Sequence, residues 1–497
     1  VDALMARPVF VPFGEWLPDL PALGNHGLLV AKNCVPKASS FGPLRSLAPY
    51  ATALASRVIG AKACRSSTGQ MFTFAATPTK LYRLGSGSPT FADVTRSSGG
   101  DYAADEHVEF NQFGDYVTAW NGVDAAQVFQ LGVSTNFAAL SGSPPLARYA
   151  CGAGDQVMVG RIASAPNRVQ FCGLDSLTTW GTSAALQADY QDLAGDAGDV
   201  MALVGRLSPH IWCQHSIYLA TYQGPPVVWK FDRVETERGT LFPRSVVGYG
   251  TLSFGIGEDN FYVFDGTGAR PISQDKVAKW FYADVDQGYP DRVYGAVDPV
   301  AQCVVWAYPG QGHGDGNPNR LILYHWPSGR WAYADMTLEF LASAGQTFGF
   351  TLEDLDSISG SVDALPASLD SRIWTSTGST ILSAFTTAHR LAYFTGDTLE
   401  ARFEKGDLEP IAGRKSCVQA IWPKIEGSSL APTVTPLTRD RQDAAYTEHA
   451  AKAVNTIGFA PIRKTARYHK PRIVVPAAAT WTHASGFDLE AVSSGQR

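Results

Sequence analysis

Few stretches of this chain place reactive side chains close together, and each can be tested against the spacing its chemistry needs. In GQGHGDGNPN, residues 310–319, His313 and Asp315 stand two apart in a glycine-rich setting. A phosphate-cradling loop needs Gly-Lys followed by Ser or Thr, which is missing here, and a glycoside hydrolase needs a pair of carboxylates rather than a single Asp. The segment reads as a hairpin tip. DYQDLAGDAGD, residues 189–199, offers Asp189, Asp192, Asp196 and Asp199. Their spacing is not that of the alternating ligands of a calcium loop, so an acidic surface loop is expected. Seven cysteines (Cys34, Cys64, Cys151, Cys172, Cys213, Cys303, Cys417) are scattered singly with no C-x-x-C pair. Neither a zinc site nor a disulfide framework follows, and reduced core thiols are expected. On these grounds no catalytic residue, metal ligand or cofactor is assigned.

The most basic cluster is Arg463, Lys464, Arg467, His469, Lys470 and Arg472. It could meet DNA phosphates, but its charges alternate along RYHKPRIVV like one solvated face of a strand, and the interleaved aromatics of a single-strand platform are absent. A subunit-contact face is the preferred reading, with Arg467, His469 and Lys470 as candidate assembly contacts.

The elements that must carry these groups are strands. GEDNFYVFDGTGARPIS, residues 257–273, holds Phe261, Tyr262, Val263 and Phe264 in succession. A strand that does not alternate is buried on both faces, and four residues are too few for a helix. Asp265-Gly266 and Thr267-Gly268 then tolerate positive φ, which makes a tight hairpin. Upstream, Gly248, Gly250, Gly255 and Gly257 leave little side chain, as where another backbone comes close. A β-propeller blade squeezed between two others fits both features; any β-sandwich hairpin is the alternative. Similar strand–turn–strand units recur at 71–87, 116–132, 156–173, 215–232, 303–329 and 372–385. Their spacing of roughly 35 to 65 residues is near that of propeller blades but irregular, without a recurring Trp-Asp signature.

Length and composition agree. At 497 residues, with 48 Gly, 30 Pro and 56 aromatic residues, the chain suits a large turn-rich β architecture, and 45% apolar with 17% charged residues describes an ordered protein. A net charge of −6 argues against a surface built to grip nucleic acid. No apolar run is long enough to span a membrane, VDALMARPVFVPFGEWLPDL lacks the pattern of a secretory signal, and the chain is expected to be soluble as made. The strongest helical candidate is the polar stretch 440–454, a loop or short helix.

The expected fold is all-β: an irregular β-propeller over 52–394, an extended N-terminal strap over 1–51, and a C-terminal β-sandwich over 395–497. Pro12, Pro18, Pro21, Pro36 and Pro43 make the strap nonhelical, with Trp16 and Phe41 as its anchors. It is laid across the body or a neighbouring subunit, or else closes the chain's own propeller. The insertion 351–371 has few aromatics and is expected to be an exposed loop that carries function or meets a partner.

Three stretches, FGEWLPDLPALGNHGLLVAKNCVPKASSFGPLRSL (13–47), GEDNFYVFDGTGARPI (257–272) and RYHKPRIVVPAAATWTHASGFDLEAV (467–492), together resemble the tail nozzle or hub proteins of short-tailed bacteriophages, also described as packaged-DNA-stabilising or tubular tail proteins. The resemblance implies a β-propeller-bearing structural subunit of the virion tail, without enzymatic activity, made in the host cytoplasm. Its implied partners are copies of itself in a ring, a hexamer by resemblance, together with portal-adaptor proteins, tail fibre or spike proteins, and genomic double-stranded DNA that passes the lumen without sequence-specific binding. On that basis Trp16, Pro18, Asp19 and Phe41 join the candidate assembly contacts. Asp354, Asp356, Asp363 and Asp370 become candidate channel-facing residues, because acidic walls do not hold a sliding duplex. The alternative is a carbohydrate-active or carbohydrate-binding β-propeller, which two carboxylates converging on the axis would distinguish.

Overall fold

The computed structural model describes residues 8–85, 88–103, 106–344, 355, 358–369, 371, 380–428 and 430–494. Among the described residues, seven antiparallel four-stranded units follow one another, at 60–93, 109–139, 147–192, 200–235, 247–271, 294–335 and 340–393. They are blades one to seven of a β-propeller. The innermost strands, Gly60–Arg65, Glu109–Phe113, Ala147–Ala153, Val200–Val204, Val247–Tyr249, Tyr294–Asp298 and Phe340–Ala344, surround the axis. The seventh blade takes its outermost strand from upstream in the chain: Ala48–Pro49 pairs with Ala392 and Tyr393. This closes the ring, since the same segment leads directly into the first blade.

The run Phe261–Phe264 shows why a blade strand need not alternate. All four side chains are buried. Phe261 packs on Trp306 and Trp331 of blade six, at ring separations of 5.0 Å, while Phe264 turns the other way onto His210 of blade four, 4.7 Å off. Side chains still point to opposite faces of the strand, but each face meets another sheet. The glycines upstream set the spacing between blades: a Cβ on Gly248 would stand 2.4 Å from Val204 Cγ1. Asp265 Oδ1 accepts from Thr267 N and closes the hairpin turn.

The second unit is a β-sandwich drawn from both ends of the chain. One sheet combines Val9–Pro12, Cys34–Pro36 and Phe41–Pro43 with Ser416–Ser428, Ala460–Ala466 and Thr480–Ser493. The other aligns Leu28–Lys32, Ala401–Lys405, Tyr468–Val475 and Thr433–Arg439. Phe13, Phe41, Phe403, Ile421, Ile473, Trp481 and Phe487 fill the space between them. Residues 8–51 are therefore not a separate strap: most of their strands join the sandwich, because their apolar residues and those of the C-terminal segment complete one core, while Ala48–Pro49 closes the chain's own propeller, the alternative reading of this segment. Leu28–Lys32 also runs parallel to Arg330–Asp335 of blade six, so that the blade and the sandwich share a single ten-stranded sheet.

Two local features complete the fold. The stretch 440–454 contains the short strands Thr447–Glu448 and Lys452–Ala453, and no helix. The α-helix Ala278–Asp284 lies before blade six instead, and no residue near it in sequence caps it; the Asp19 carboxylate accepts from Lys279 N and Trp280 N at 2.9 and 2.8 Å.

Candidate functional site

A cavity lies along the axis of the propeller. One part, about 390 Å³, is walled by residues of all seven innermost strands or the turns beside them, including Lys62, Glu109, Tyr149, Leu203, Arg244, Tyr294 and Phe340. A second, about 440 Å³, shares Lys62, Glu109, Ala150 and Leu203 with it and runs on to Asn111, Gly152, Gly154, Gly205, Arg206 and Leu207. The two form one lumen.

Arg244 closes one end. It sits in the turn Pro243–Ser245 ahead of blade five and reaches over the axis to the entrances of blades one and two. There it donates to the Ile59 carbonyl at 2.6 Å and to His107 Nδ1 at 2.6 Å. Its guanidinium also lies over the rings of Tyr294 and Phe340, 5.4 and 5.6 Å from their centroids, in blades six and seven. Around this plug, Glu106 bridges Arg57 and Arg292 at 3.1 Å each, and Arg57 donates to the Tyr294 hydroxyl. A guanidinium can only donate, so His107 Nδ1 carries the lone pair and Nε2–H donates to the Arg148 carbonyl at 2.9 Å. Burial, with Arg244 and Arg148 adjoining, pushes the His107 imidazole well below its ordinary range, and the ring is neutral.

Inside the lumen, Lys62 Nζ donates to the Phe110 carbonyl at 3.0 Å. Glu109 keeps 39% of its side chain open to the lumen, yet protein surrounds it, and this enclosure raises its carboxyl despite Lys62 and Arg244. At the far end Arg206 donates Nη2–H to the Leu252 carbonyl at 2.9 Å. Burial lowers its guanidinium pKa, and no carboxylate offsets the effect. Arg206 Nε and Nη1, Asn111 Nδ2 and Tyr149 Oη are buried without a hydrogen-bond partner. The described wall of this lumen contains one carboxylate, Glu109.

Gly248 and Cys151 line this lumen, but none of the described candidate assembly or channel-facing residues named from the sequence does. Trp16 is fully buried inside its own chain, 4.8 Å from Trp280 and 4.9 Å from Tyr333, and Asp19 caps the helix beside it. Phe41 is fully buried under Arg330, and Pro18 is half-buried on the same segment. His469 is buried, with Nε2 close to the Ser416 and Ala466 carbonyls. Lys470 pairs with the buried Glu404 at 3.1 Å, and Arg467 with Glu409 at 2.8 Å. These groups are not free assembly contacts: Trp16, Phe41 and His469 are spent on the chain's own core, and the basic cluster is largely neutralised from within. Burial opposes the Glu404 charge, but Arg402, Lys470 and Arg472 together hold its carboxyl below the usual range.

Asp363 is exposed in the insertion of blade seven, whereas Asp354, Asp356 and Asp370 lie outside the described residues. The insertion is not exposed throughout, because Leu355 and Ala367 are buried with Leu341 and Phe385. His313 and Asp315 lie 3.5 Å apart on the connection between Cys303–Tyr308 and Arg320–His325, as a hairpin tip requires. Asp189–Asp192 is an edge strand rather than a loop; Asp192, Asp196 and Asp199 pair with Arg168, Arg233 and Arg161. All seven cysteines are free, and six are buried.

The residues that build the lumen escaped sequence reading because they come singly from different blades. HVEF around Glu109 and FPRSVV around Arg244 carry no local pattern, and only closure of the ring brings them together.

Fold and site define a seven-bladed β-propeller, plugged at one end of its axis and fused to a two-sheet sandwich. No family model matches the chain, and no curated protein matches it. Among solved structures it is similar to a chain of the mitotic checkpoint complex, at 11% identity and a TM-score of 0.38 over 72% of this chain and 95% of that one. It is also similar to the WD40 domain of Neurospora crassa Pan2, at 6% identity and a TM-score of 0.38 over 72% and 96%. Likenesses this distant carry nothing about function.

Proposed function

We propose that this chain is a structural, ring-forming subunit of the tail nozzle or hub of a short-tailed bacteriophage, seated below the portal and its adaptor and extending the path of the genome. The observation that carries this reading is where the resembling stretches meet. The first and last, 13–47 and 467–492, come from opposite ends of the chain and pair within one sandwich: Phe41 stands opposite Ala484, and Phe13 N donates to the Ser485 carbonyl at 2.9 Å. The middle stretch lies in blade five and joins the same apolar core through Phe261. On this reading the outer faces of the sandwich, and not its core residues, meet copies and neighbours, and the propeller is the body it carries.

Duplex DNA does not pass along the axis of a single chain in this account. One arginine side chain spans that lumen, whereas the major groove of a duplex alone is about 12 Å wide. The genome passes between copies arranged in a ring. The carbohydrate reading asks for two carboxylates converging on the axis, and the described lumen wall supplies Glu109 alone. Gold labelling of a tagged chain in particles of a phage that encodes it tests the assignment. Label at the tail tip side of the portal is expected, and particles that contain none of the chain would overturn it.

A further inference from the structure

The end of the lumen away from Arg244 has an excess of hydrogen-bond donors. Arg206 presents Nε and Nη1, and Asn111 presents Nδ2, all buried with no acceptor. Asn111 itself is only 3% exposed. Neither Lys62 nor Arg206 forms an ion pair among the described residues; each is held by one backbone carbonyl, Phe110 for the lysine and Leu252 for the arginine. Gln112, in the same wall, is satisfied by the backbone of residues 65 and 114. Buried donors without acceptors are costly, and Lys62 and Arg206, both half-buried, set two positive charges against the single carboxylate of Glu109, so the wall is incomplete by itself.

The space beside them fits an occupant. Its volume of about 440 Å³ suits a small molecule, and Gly152, Gly154 and Gly205 put no side chain into its mouth. A Cβ on Gly154 would meet nothing within 4 Å, so the opening is not filled by packing. Water could satisfy the amide donor, but it would leave two cations facing a single carboxylate, Glu109.

We propose that this end of the propeller axis is a binding site for a small multiply charged oxyanion, of the phosphate or polycarboxylate kind, held by Arg206 and Lys62 with Asn111 as a neutral donor. Guanidinium and ammonium groups grip oxyanions through short charge-assisted bonds. Glu109 shares the cavity and opposes the ligand while ionised. Its raised carboxyl lets a proton taken up with the anion turn that repulsion into one more donor. The site is independent of the nozzle assignment, because nothing in it depends on a ring or on DNA.

Calorimetry with inorganic phosphate and with citrate, at ionic strength held constant with chloride, tests the proposal on the full chain. Wild type should bind at least one of the two at a single site. Arg206→Gln and Lys62→Met should each weaken that binding by about tenfold or more, the loss expected when one charge-assisted contact goes. Glu109→Gln should bind as tightly as wild type or tighter, which also serves as a reading if one of the cation variants does not fold. Absence of binding by both probes would overturn the site, as would unchanged affinity in the two cation variants or weaker binding in Glu109→Gln.

Discussion

Arg244→Met removes the axial plug's donors and charge while keeping an apolar stem in place. Two strong bonds disappear, to the Ile59 carbonyl at 2.6 Å and to His107 Nδ1 at 2.6 Å. The bond to a charged donor is worth about 1.5–3 kcal/mol, and the acceptors left behind are enclosed. The cation over Tyr294 and Phe340 adds about 0.5–1 kcal/mol for each ring. Allowing for partial relaxation, the variant should lose about 4 kcal/mol. Urea unfolding followed by tryptophan fluorescence reads this loss. A cycle with His107→Phe separates the histidine contact from the rest and should show a coupling of about 1–3 kcal/mol. A loss under about 1 kcal/mol, or additivity within about 0.5 kcal/mol, would refute the idea that Arg244 ties blades across the axis.

Three more outcomes are expected. Phe264→Ala should cost about 3–5 kcal/mol, since the ring is fully buried between blades four and five; an unchanged unfolding midpoint would contradict that packing. Acid should destabilise the chain between pH 6.5 and about 4: burial lowers His210 from 6.5 to about 4, so the unfolded chain takes up a proton in this window while the folded chain does not, and stability is lost as pH falls. This one residue contributes about 3 kcal/mol, with His107 and His469 acting in the same direction, and a flat stability profile over the window would count against neutral buried imidazoles. Deleting residues 8–20 should unfold or aggregate the sandwich, because Phe13 and Trp16 leave its core and Asp19 leaves its helix; a truncated chain with native melting would restore the picture of a detachable strap.

The propeller was legible in the sequence because a blade writes its burial locally. The run Phe261–Phe264 between glycine turns needs two covered faces, and the structure supplies one from each adjoining blade. The N-terminal segment was only half legible: its end closes the propeller, as one reading of it had it, but its place in the sandwich was hidden. Its prolines correctly forbid a helix, but Trp16 and Phe41 find their partners, Tyr333 and Phe403, hundreds of residues away, and no local pattern announces such pairing. The helix Ala278–Asp284 was missed on the same account, its cap being Asp19. In the basic cluster, the charges of Lys470 and Arg472 are answered by Glu404, so a solvated face on paper is an internal network in space. The lumen was the least legible part, since each of its charged groups is isolated in sequence.

The central claim is that this chain builds a ring. Light scattering on the purified full chain, with electron microscopy of the same sample, measures it most directly. The account predicts closed rings of several copies, joined through the sandwich and open at the centre widely enough for a duplex, while each propeller axis stays plugged. Particles that remain at the 53.3 kDa mass of one chain at every concentration, alone and with portal–adaptor assemblies added, would contradict it.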